Sequence, residues 1–474
     1  MGKRSSGNNR RESIHRRGPA AAGMLIFFSL LLAAVLGYAQ IQERFPKPDF
    51  QTDYTRPDLS TPLPRAQVWE YVDIAVLIAA LVLASYFAHR LRSRRKIFWL
   101  MVFSLVYFGF IRQGCVCAVG AVQNVAYALF NTGYAIPLSV IAFFVLPLVF
   151  TLFYGRTFCA AVCPLGAAQD AVILKPVRLS STTAGLLGML PVIYLGLAVL
   201  FAATGTGFII CRYDPFIGFF RFGASFAMVL FGAAVLLLGT VVARPYCRFL
   251  CPLGVLLDWM SLLSKKHVKI TPDTCSNCRL CEESCPFGAI HKPNPSAQSP
   301  DKQTELRRLA VLLVLLPVIM FGAGWAGSRL YVPLARQHPT VALSEEILLE
   351  NGGKRAVMTD ATRAFRASGK TADELFEEAG RIQQRFRTGG WLLGGFIGIV
   401  FVFKLIGLTI LRRRPEYEID AGACFSCGRC FSFCPYEQLR LGTITQEELE
   451  EMERQGKNGS GAGGTSPMEN NQNG

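Results

Sequence analysis

Long apolar blocks separated by short polar and basic segments dominate this chain, and their length decides the fold class. A helix needs about 20 apolar residues to cross the hydrocarbon core of a bilayer, and several blocks reach or approach that length. The pattern predicts a polytopic α-helical membrane protein with about eight transmembrane helices, at residues 23–39, 72–88, 97–111, 138–154, 184–203, 224–243, 309–327 and 391–411. The first block follows a basic segment, so it is either a cleavable signal peptide or an uncleaved first helix.

Basic residues set the predicted orientation of these helices. Lys and Arg cluster at the ends of alternate blocks, as in residues 90–96, 265–269 and 412–414, and such clusters mark the cytoplasmic face. The chain of 474 residues is 51% hydrophobic and 17% charged, with a formal net charge of +16. Because this charge lies beside the apolar blocks, we assign it to membrane topology. Membrane lipid is therefore a predicted partner and nucleic acid is not.

Eight of the fifteen cysteines fall in two runs of identical spacing, C-x2-C-x2-C-x3-C-P: Cys275, Cys278, Cys281 and Cys285, then Cys424, Cys427, Cys430 and Cys434. Thiolates are the ligands of iron–sulfur clusters, and this is the run of bacterial ferredoxins, whose fourth cysteine ligates the other cluster. The runs predict two [4Fe–4S] clusters, with Cys285 and Cys434 exchanged between them. A structural zinc site, the alternative, usually has two separated cysteine pairs. Counting the blocks places both runs on the cytoplasmic face, as one ferredoxin-like 2[4Fe–4S] module split in sequence.

The apolar core contains an internal repeat. Each unit has an outer cysteine, an inward-running block and an inner C-x3-C-P-L-G segment, and the segments from Cys163 to Asp170 and from Cys251 to Asp258 match further. Two cysteines four residues apart lie on one face of a helix. The inner pairs are therefore candidate ligands for a further cluster or a metal, and simple packing of small residues is the alternative: Cys159, Cys163, Cys247 and Cys251.

Three further cysteines, Cys115, Cys117 and Cys211, fall on the predicted outer side. They form a redox-active thiol site, ligate a cofactor or make a disulfide within the loops. None of the five histidines lies in the middle of a block and no C-x-x-C-H occurs, so haem is not supported. Electrons are therefore expected to use cysteine-bound centres or a quinone. No catalytic nucleophile or base is evident, and neither a hydrolytic nor a transferase site is predicted.

The predicted organisation combines these elements. The outer insert has a capping box from Thr371 to Glu374 followed by an amphipathic pattern, which predicts a short helix lying on the outer membrane face. In chain order the predicted segments are the cytoplasmic N-terminus 1–22, the first transmembrane helix or signal anchor 23–41, the periplasmic loop 42–70, the transmembrane core 71–260, the cytoplasmic ferredoxin half 261–305, a transmembrane helix 306–327, the periplasmic insert 328–389, a transmembrane helix 390–411, the second ferredoxin half 412–445 and a disordered tail 446–474.

With both C-x3-C-P segments and both ferredoxin runs in place, the chain resembles the polyferredoxin-type membrane proteins that include NapH, NosR and CcoG. The segment from Gly114 through Cys117 to Asn124 is most similar to the NosR side of that group. The resemblance implies electron delivery between the quinone pool or cytoplasm and periplasmic respiratory metalloenzymes, or maturation of those enzymes. NosR carries a periplasmic flavin-binding domain, for which residues 42–70 are too short, so any flavin is expected on another subunit.

The resulting hypothesis is an electron-transfer protein of the bacterial inner membrane, with its ferredoxin modules in the cytoplasm. Its expected partners are a cytoplasmic electron donor or quinol and a periplasmic reductase or flavin or cytochrome subunit. The alternative function is an assembly or maturation factor for a respiratory metalloenzyme, in which the inner cysteine pairs handle metal transiently.

Overall fold

The computed structural model describes residues 67–114, 117–131, 133–174, 176–270, 278–294, 302–352, 358–409, 414 and 416–451. Within these ranges four helices are long and apolar enough to cross a membrane: Val68–Leu91, Thr182–Ala203, Leu306–Arg329 and Ala372–Gly407. The first predicted block and most of the loop 42–70 lie outside the described residues. The other seven predicted blocks fall on helices, so the structure is mainly helical. The total of eight spans and their orientation stay predictions.

All the regular elements in the first half of the described chain are helices. In order it contains α1 Gln67–Tyr86, α2 Arg94–Ser104, α3 Ala118–Phe130, α4 Leu138–Tyr154, α5 Pro164–Ala171, α6 Ser181–Leu187, α7 Leu190–Ala203, α8 Ile209–Tyr213, α9 Ile217–Arg221, α10 Phe226–Val241, α11 Pro245–Phe249 and α12 Pro252–Leu262. Three π-helical segments occur at Phe87–Leu91, Leu105–Ile111 and Phe158–Val162.

The second half adds two short strands and eight helices. These are α13 Leu280–Ser284, β1 Ile290–His291, α14 Lys302–Arg329, α15 Tyr331–Ala335, α16 Pro339–Asn351, α17 Asp360–Ala367, α18 Ala372–Thr409, β2 Glu418–Ile419, α19 Arg429–Phe433 and α20 Pro435–Arg440.

The sequence repeat is also a structural repeat. In each unit a long apolar helix (α4 or α10) ends, a short helical segment carries the first inner cysteine, and a new helix (α5 or α12) begins directly after the second. Pro164 and Pro252 occupy the first turn of the new helices, where the missing N–H costs nothing and the fixed φ favours a helical start. The C-P dipeptide therefore sets both the cysteine position and the helix start.

Helices α14 and α18 form a hairpin held together by glycine. A Cβ added at Gly327 would lie 2.2 Å from the Gly390 carbonyl oxygen, and one at Gly394 would lie 2.0 Å from that of Ala323. Such close backbone approach through small residues is how helices associate in a membrane, where lipid removes the hydrophobic driving force. The hairpin joins the main bundle where Leu393 of α18 packs against Gly196 of α7.

Helix α18 corrects one prediction. The amphipathic segment expected as a separate helix on the outer membrane face is the beginning of this 38-residue helix, which continues through the eighth apolar block. Its start is capped as the sequence predicts, since the Glu374 N–H donates to Thr371 Oγ1 at 3.4 Å. The Gly389–Gly390 pair suggests a break between the two patterns. Instead, Gly390 allows the close contact with α14 and the helix stays continuous.

Helix α3 was not among the predicted spans. With 13 residues it is too short to cross a bilayer. Its apolar surface packs into the bundle beside α4 and α7, so the segment after Cys117 turns inward instead of lying as an outer loop.

The two ferredoxin runs meet in space although two membrane helices separate them in sequence. Strand β1 pairs antiparallel with β2, with Ile290 opposite Ile419, and the Asp420 N–H donates to the Ala289 carbonyl at 2.8 Å. Helices α13 and α19 pack together. Each is preceded by a residue of positive φ, Arg279 at 65° and Gly428 at 73°, so the two halves have the same local design.

Candidate metal centres

The best-defined site is a small cavity inside the ferredoxin module. Three of its cysteines come from the second run and one from the first: Cys285, Cys424, Cys427 and Cys430. The cysteine before proline therefore faces the opposite run, which is the exchange that ferredoxin spacing predicts. The cavity walls are completed by Phe287, Phe425 and Gly428, among others.

The chemistry of this cavity suits a cluster. Burial raises the pKa of Cys424 to about 12, and it also raises the pKa of Cys430 well above its usual value. Thiolates at these positions require a compensating cation, which a bound iron–sulfur group provides. A backbone N–H is already directed at one sulfur, since Ser426 N lies 3.4 Å from Cys424 Sγ, and such hydrogen bonds tune cluster potentials.

The remaining ferredoxin cysteines form the complementary set, in which Cys434 comes from the second run and the others come from the first run. Cys434 interacts electrostatically with Cys278 of the first run, and Cys281 is buried in the adjoining apolar cluster with Ile290 and Tyr417. Cys275 lies outside the described residues. The cluster that contains Cys281 also packs against Cys285 and Cys430, so the second set adjoins the cavity.

The two inner pairs converge on one another. Cys159, Cys163, Cys247 and Cys251 are 7–8% exposed, and each of the last three feels the charge of thiols in the opposite repeat. We call these four residues the inner quartet. Cys251 caps α12 by accepting from the Gly254 N–H at 3.3 Å, and a helix N-terminus favours the thiolate. In the described part of the chain, no three histidine, cysteine or acidic side chains approach closely enough to share a single metal ion.

Two buried arginines border the inner quartet, and sequence reasoning missed them. Arg156 and Arg244 stand three residues before the first cysteine of each pair. Arg244 is fully buried, donates to the Cys159 carbonyl at 2.5 Å and pairs with Asp170 at 3.2 Å, both in the other repeat. Arg156 of the first repeat likewise interacts electrostatically with Asp258 of the second repeat. The detectable signal was that each repeat reads R-x2-C-x3-C-P-L-G-x3-D.

Asp170 is the centre of the charge network. Burial opposes its ionisation, but Arg244, Arg94 and Arg429 outweigh burial and hold its pKa well below the usual range. Arg94 also bonds Asp170 directly and donates to the Cys427 carbonyl at 3.0 Å. The same carboxylate therefore contacts Arg244, which borders the inner quartet, and Arg429 of the ferredoxin module.

Two phenylalanines join the cavity to the inner quartet. The rings of Phe287 and Phe425 lie 4.6 Å apart and both line the cavity. The Arg156 guanidinium lies 4.2 Å from the Phe425 ring centroid, and Arg156 Nη1 donates to the Gly422 carbonyl at 2.8 Å. The ferredoxin module therefore contacts Arg156, one of the two arginines beside the inner quartet.

The outer cysteines are partly described. Cys117 and Cys211 flank Gly120, whose added Cβ would lie 3.1 Å from Cys211 Sγ and 3.9 Å from Cys117 Cβ. Both thiols are free, and Cys115 lies outside the described residues. One small cavity is lined by Cys117, Asp214 and Cys163. Residues assigned to opposite membrane sides therefore border the same void, because the outer segments fold back into the bundle.

Comparison with protein-family models agrees with this geometry. A model described as a 4Fe-4S binding domain matches residues 136–182 and 224–271, which are the two repeat units, and a second model of that description matches residues 268–291. The chain is therefore a mainly helical protein with apolar helices and 4Fe–4S binding domains.

Several curated proteins are similar. Protein NirI of Paracoccus denitrificans is 33% identical over 29% of this chain and 22% of NirI. The methylamine utilization ferredoxin-type protein MauN of that organism is 30% identical over 29% of this chain and 52% of MauN. The regulatory protein NosR of Pseudomonas aeruginosa is 26% identical over 46% of this chain and 33% of NosR. This chain thus spans about half or less of these relatives, and the matches support a resemblance to the NosR/NapH-like polyferredoxin proteins. No solved structure matches it.

Proposed function

We propose that this protein is a membrane-bound electron carrier that passes electrons between the cytoplasm or the quinone pool and a periplasmic respiratory reductase system. The observation that carries the proposal is the contact of Phe425, which lines the ferredoxin cavity, with Arg156 beside the inner quartet. Two cysteine sites that merely stabilised the fold would not need to adjoin. The similarity to MauN, a ferredoxin-type protein, supports a role of this class.

The ligand sets are those that ferredoxin spacing predicts, and the cavity lined by cysteines of both runs supports the first of them. One [4Fe–4S] cluster would be held by Cys285, Cys424, Cys427 and Cys430, and the second by Cys275, Cys278, Cys281 and Cys434. The inner quartet would hold a further cysteine-bound centre. Bound clusters supply one-electron storage at a potential set by hydrogen bonds, charge and solvent exposure.

The protein's own groups provide the conditions for such centres. Burial keeps water from the inner quartet, and Arg156 and Arg244 place two positive charges beside its four thiols. The positive charges offset the thiolates, because a desolvated anion needs nearby cations or hydrogen-bond donors. Asp170 in turn fixes the position of Arg244.

The proposal includes an orientation of the protein in the membrane. The ferredoxin module would lie in the cytoplasm, next to the basic segments, in a multi-pass protein of the bacterial inner membrane. Cys117 and Cys211 would form the outer stop of the route, supported by the cavity that Cys117 shares with Cys163. A cytoplasmic donor or quinol would serve one end, and a periplasmic reductase or its flavin or cytochrome subunit the other.

Metal analysis of anaerobically purified protein tests the proposal against the maturation alternative. An electron carrier should hold about eight iron atoms per chain for two clusters, or more when the inner quartet is filled, with a reversible paramagnetic signal. A maturation factor should instead bind copper, lost on substitution of Cys159 or Cys247 by serine. Stable iron well below four atoms per chain would refute the carrier.

A further inference from the structure

A basic cleft of about 880 Å³ lies beside the ferredoxin module where it meets the membrane helices. Its apolar lining includes side chains from two apolar helices, Val82 and Tyr86 of α1 and Phe150 of α4. Its cationic and imidazole lining comes from the segment that continues α1 and from the segment at 265–269: His89, Arg90, Arg92, Lys265, Lys266, His267 and Lys269. The cleft therefore combines an apolar surface with a cluster of positive charges.

Among the described residues, few acidic side chains compensate the positive charge of the cleft. Arg92 pairs with Glu437 at 2.8 Å, but no acidic side chain among the described residues pairs with Arg90, Lys266 or Lys269, and none lines the cleft. The Lys265 ammonium lies over the Phe153 ring at 5.2 Å. Like charges gathered around one void repel each other, so the arrangement favours an anionic occupant.

The path of the lysine segment does not depend on these side chains. The backbone N–H groups of Lys265 and Lys266 donate to the carbonyls of Leu152 and Phe153, each at 3.0 Å. These bonds hold the segment against the end of α4. The lysines are therefore presented to the cleft by the backbone, and neutralising them should leave the fold intact.

We infer that this cleft binds the phosphate headgroup of an anionic phospholipid, with the acyl chains along Val82, Tyr86 and Phe150. Basic pockets between transmembrane helices on the cytoplasmic side bind such headgroups. A neutral quinone needs only one or two donors for its carbonyls and gains nothing from several unpaired cations. The cleft also adjoins Phe431, next to Cys430 of the ferredoxin cavity. The bound lipid would fasten the module to the membrane at that edge.

The test compares two double variants of the full chain in nanodiscs. Lys265→Gln/Lys266→Gln removes two charges from the cleft, and Arg95→Gln/Lys96→Gln removes two exposed charges on α2 that do not line it. Native mass spectrometry after detergent extraction counts retained phosphatidylglycerol against phosphatidylcholine. We expect the cleft variant to bind phosphatidylglycerol roughly 30-fold more weakly, since each lysine near the surface contributes about a fivefold factor. The control should bind as wild type does.

Several outcomes would overturn the inference. Equal losses in both double variants would mean general surface attraction, and retention unaffected by either would mean no site. Binding of inorganic phosphate that displaces the lipid completely, or binding of a quinone analogue in its place, would replace the lipid as ligand. Iron content is measured in parallel, so failure of the electron-carrier proposal would be visible separately. If the double variant does not fold, Lys269→Gln serves as the second test.

Discussion

A glycine follows each C-P-L, at Gly166 and Gly254. Adding one methyl group at either position tests how closely the segments that carry the inner quartet are packed. A Cβ at Gly166 would lie 2.9 Å from the Cys159 carbonyl oxygen and 3.4 Å from Arg244 Nη1. That carbonyl belongs to the backbone and already accepts from Arg244 Nη1 at 2.5 Å, so it cannot swing aside. Gly166→Ala should therefore displace α5 from the segment that carries Cys159.

The magnitude follows from two opposing effects. Overpacking a filled site costs about 1–3 kcal/mol, and the better helix propensity of alanine offsets up to about 1 kcal/mol. We expect Gly166→Ala to lose about 1–2 kcal/mol of stability. Gly254→Ala should lose less, because its Cβ would lie 3.1 Å from the Cys247 carbonyl. Gly185→Ala in α6 is the matched control, with no atom within 4 Å, and should gain about 0.5–1 kcal/mol.

Thermal unfolding in one detergent, followed by tryptophan fluorescence under anaerobic conditions, gives the ranking. The apparent melting temperature should fall by a few degrees for Gly166→Ala, fall less for Gly254→Ala and rise slightly for Gly185→Ala. Metal content of the same samples reports on the inner quartet. A Gly166→Ala variant that melts at or above the wild-type temperature would refute the close packing on which the inner-quartet geometry rests.

Three further predictions address the other parts of the site. Cys278→Ala and Cys427→Ala should each remove about four iron atoms by metal analysis, and full iron in both would exclude the ferredoxin ligand sets. Cys117→Ser should stop electron delivery to an external acceptor in proteoliposomes while the spectra of both clusters persist. Unimpaired delivery would mean that this thiol has only a packing role. Asp170→Asn should cost about 3–5 kcal/mol at neutral pH, because it leaves Arg244 buried without its carboxylate. Since the folded pKa of Asp170 is depressed, its contribution holds above about pH 4 and is lost as the pH falls further, so the gap between the two melting curves should close in acid.

Much of the helical order was predictable because it rests on local patterns. The block predicted at residues 138–154 coincides with α4, and the other described blocks fall on helices. Whether an apolar block forms a helix does not depend on which elements it packs against, so the helix positions can be predicted from the sequence. The capping box at Thr371 was correct for the same reason, since the bond that starts α18 joins residues three apart.

What the sequence did not reveal depends on contacts between distant residues. Arg244 and Asp170 pair across the two repeats, and Arg94 reaches the Cys427 carbonyl. All three charged side chains stand outside the apolar blocks, where charge is expected, and nothing local identifies their partners. The inward position of α3 could not be decided from the sequence, because 13 apolar residues do not distinguish a helix that folds back into the bundle from an outer loop.

The two duplications in this chain follow one rule, in which each half completes the site of the other. In the ferredoxin module Cys285 joins the cavity of the second run, and in the membrane core Arg244 of the second repeat bonds Cys159 and Asp170 of the first. Phe425 belongs to both levels, because it lines the cavity and contacts Arg156. Since Phe425 follows α18 in the chain, neither the cavity nor the arginine–phenylalanine contact can form until the hairpin of α14 and α18 has been made. Splitting the ferredoxin module around this apolar hairpin therefore couples assembly of the cavity to completion of the helical bundle.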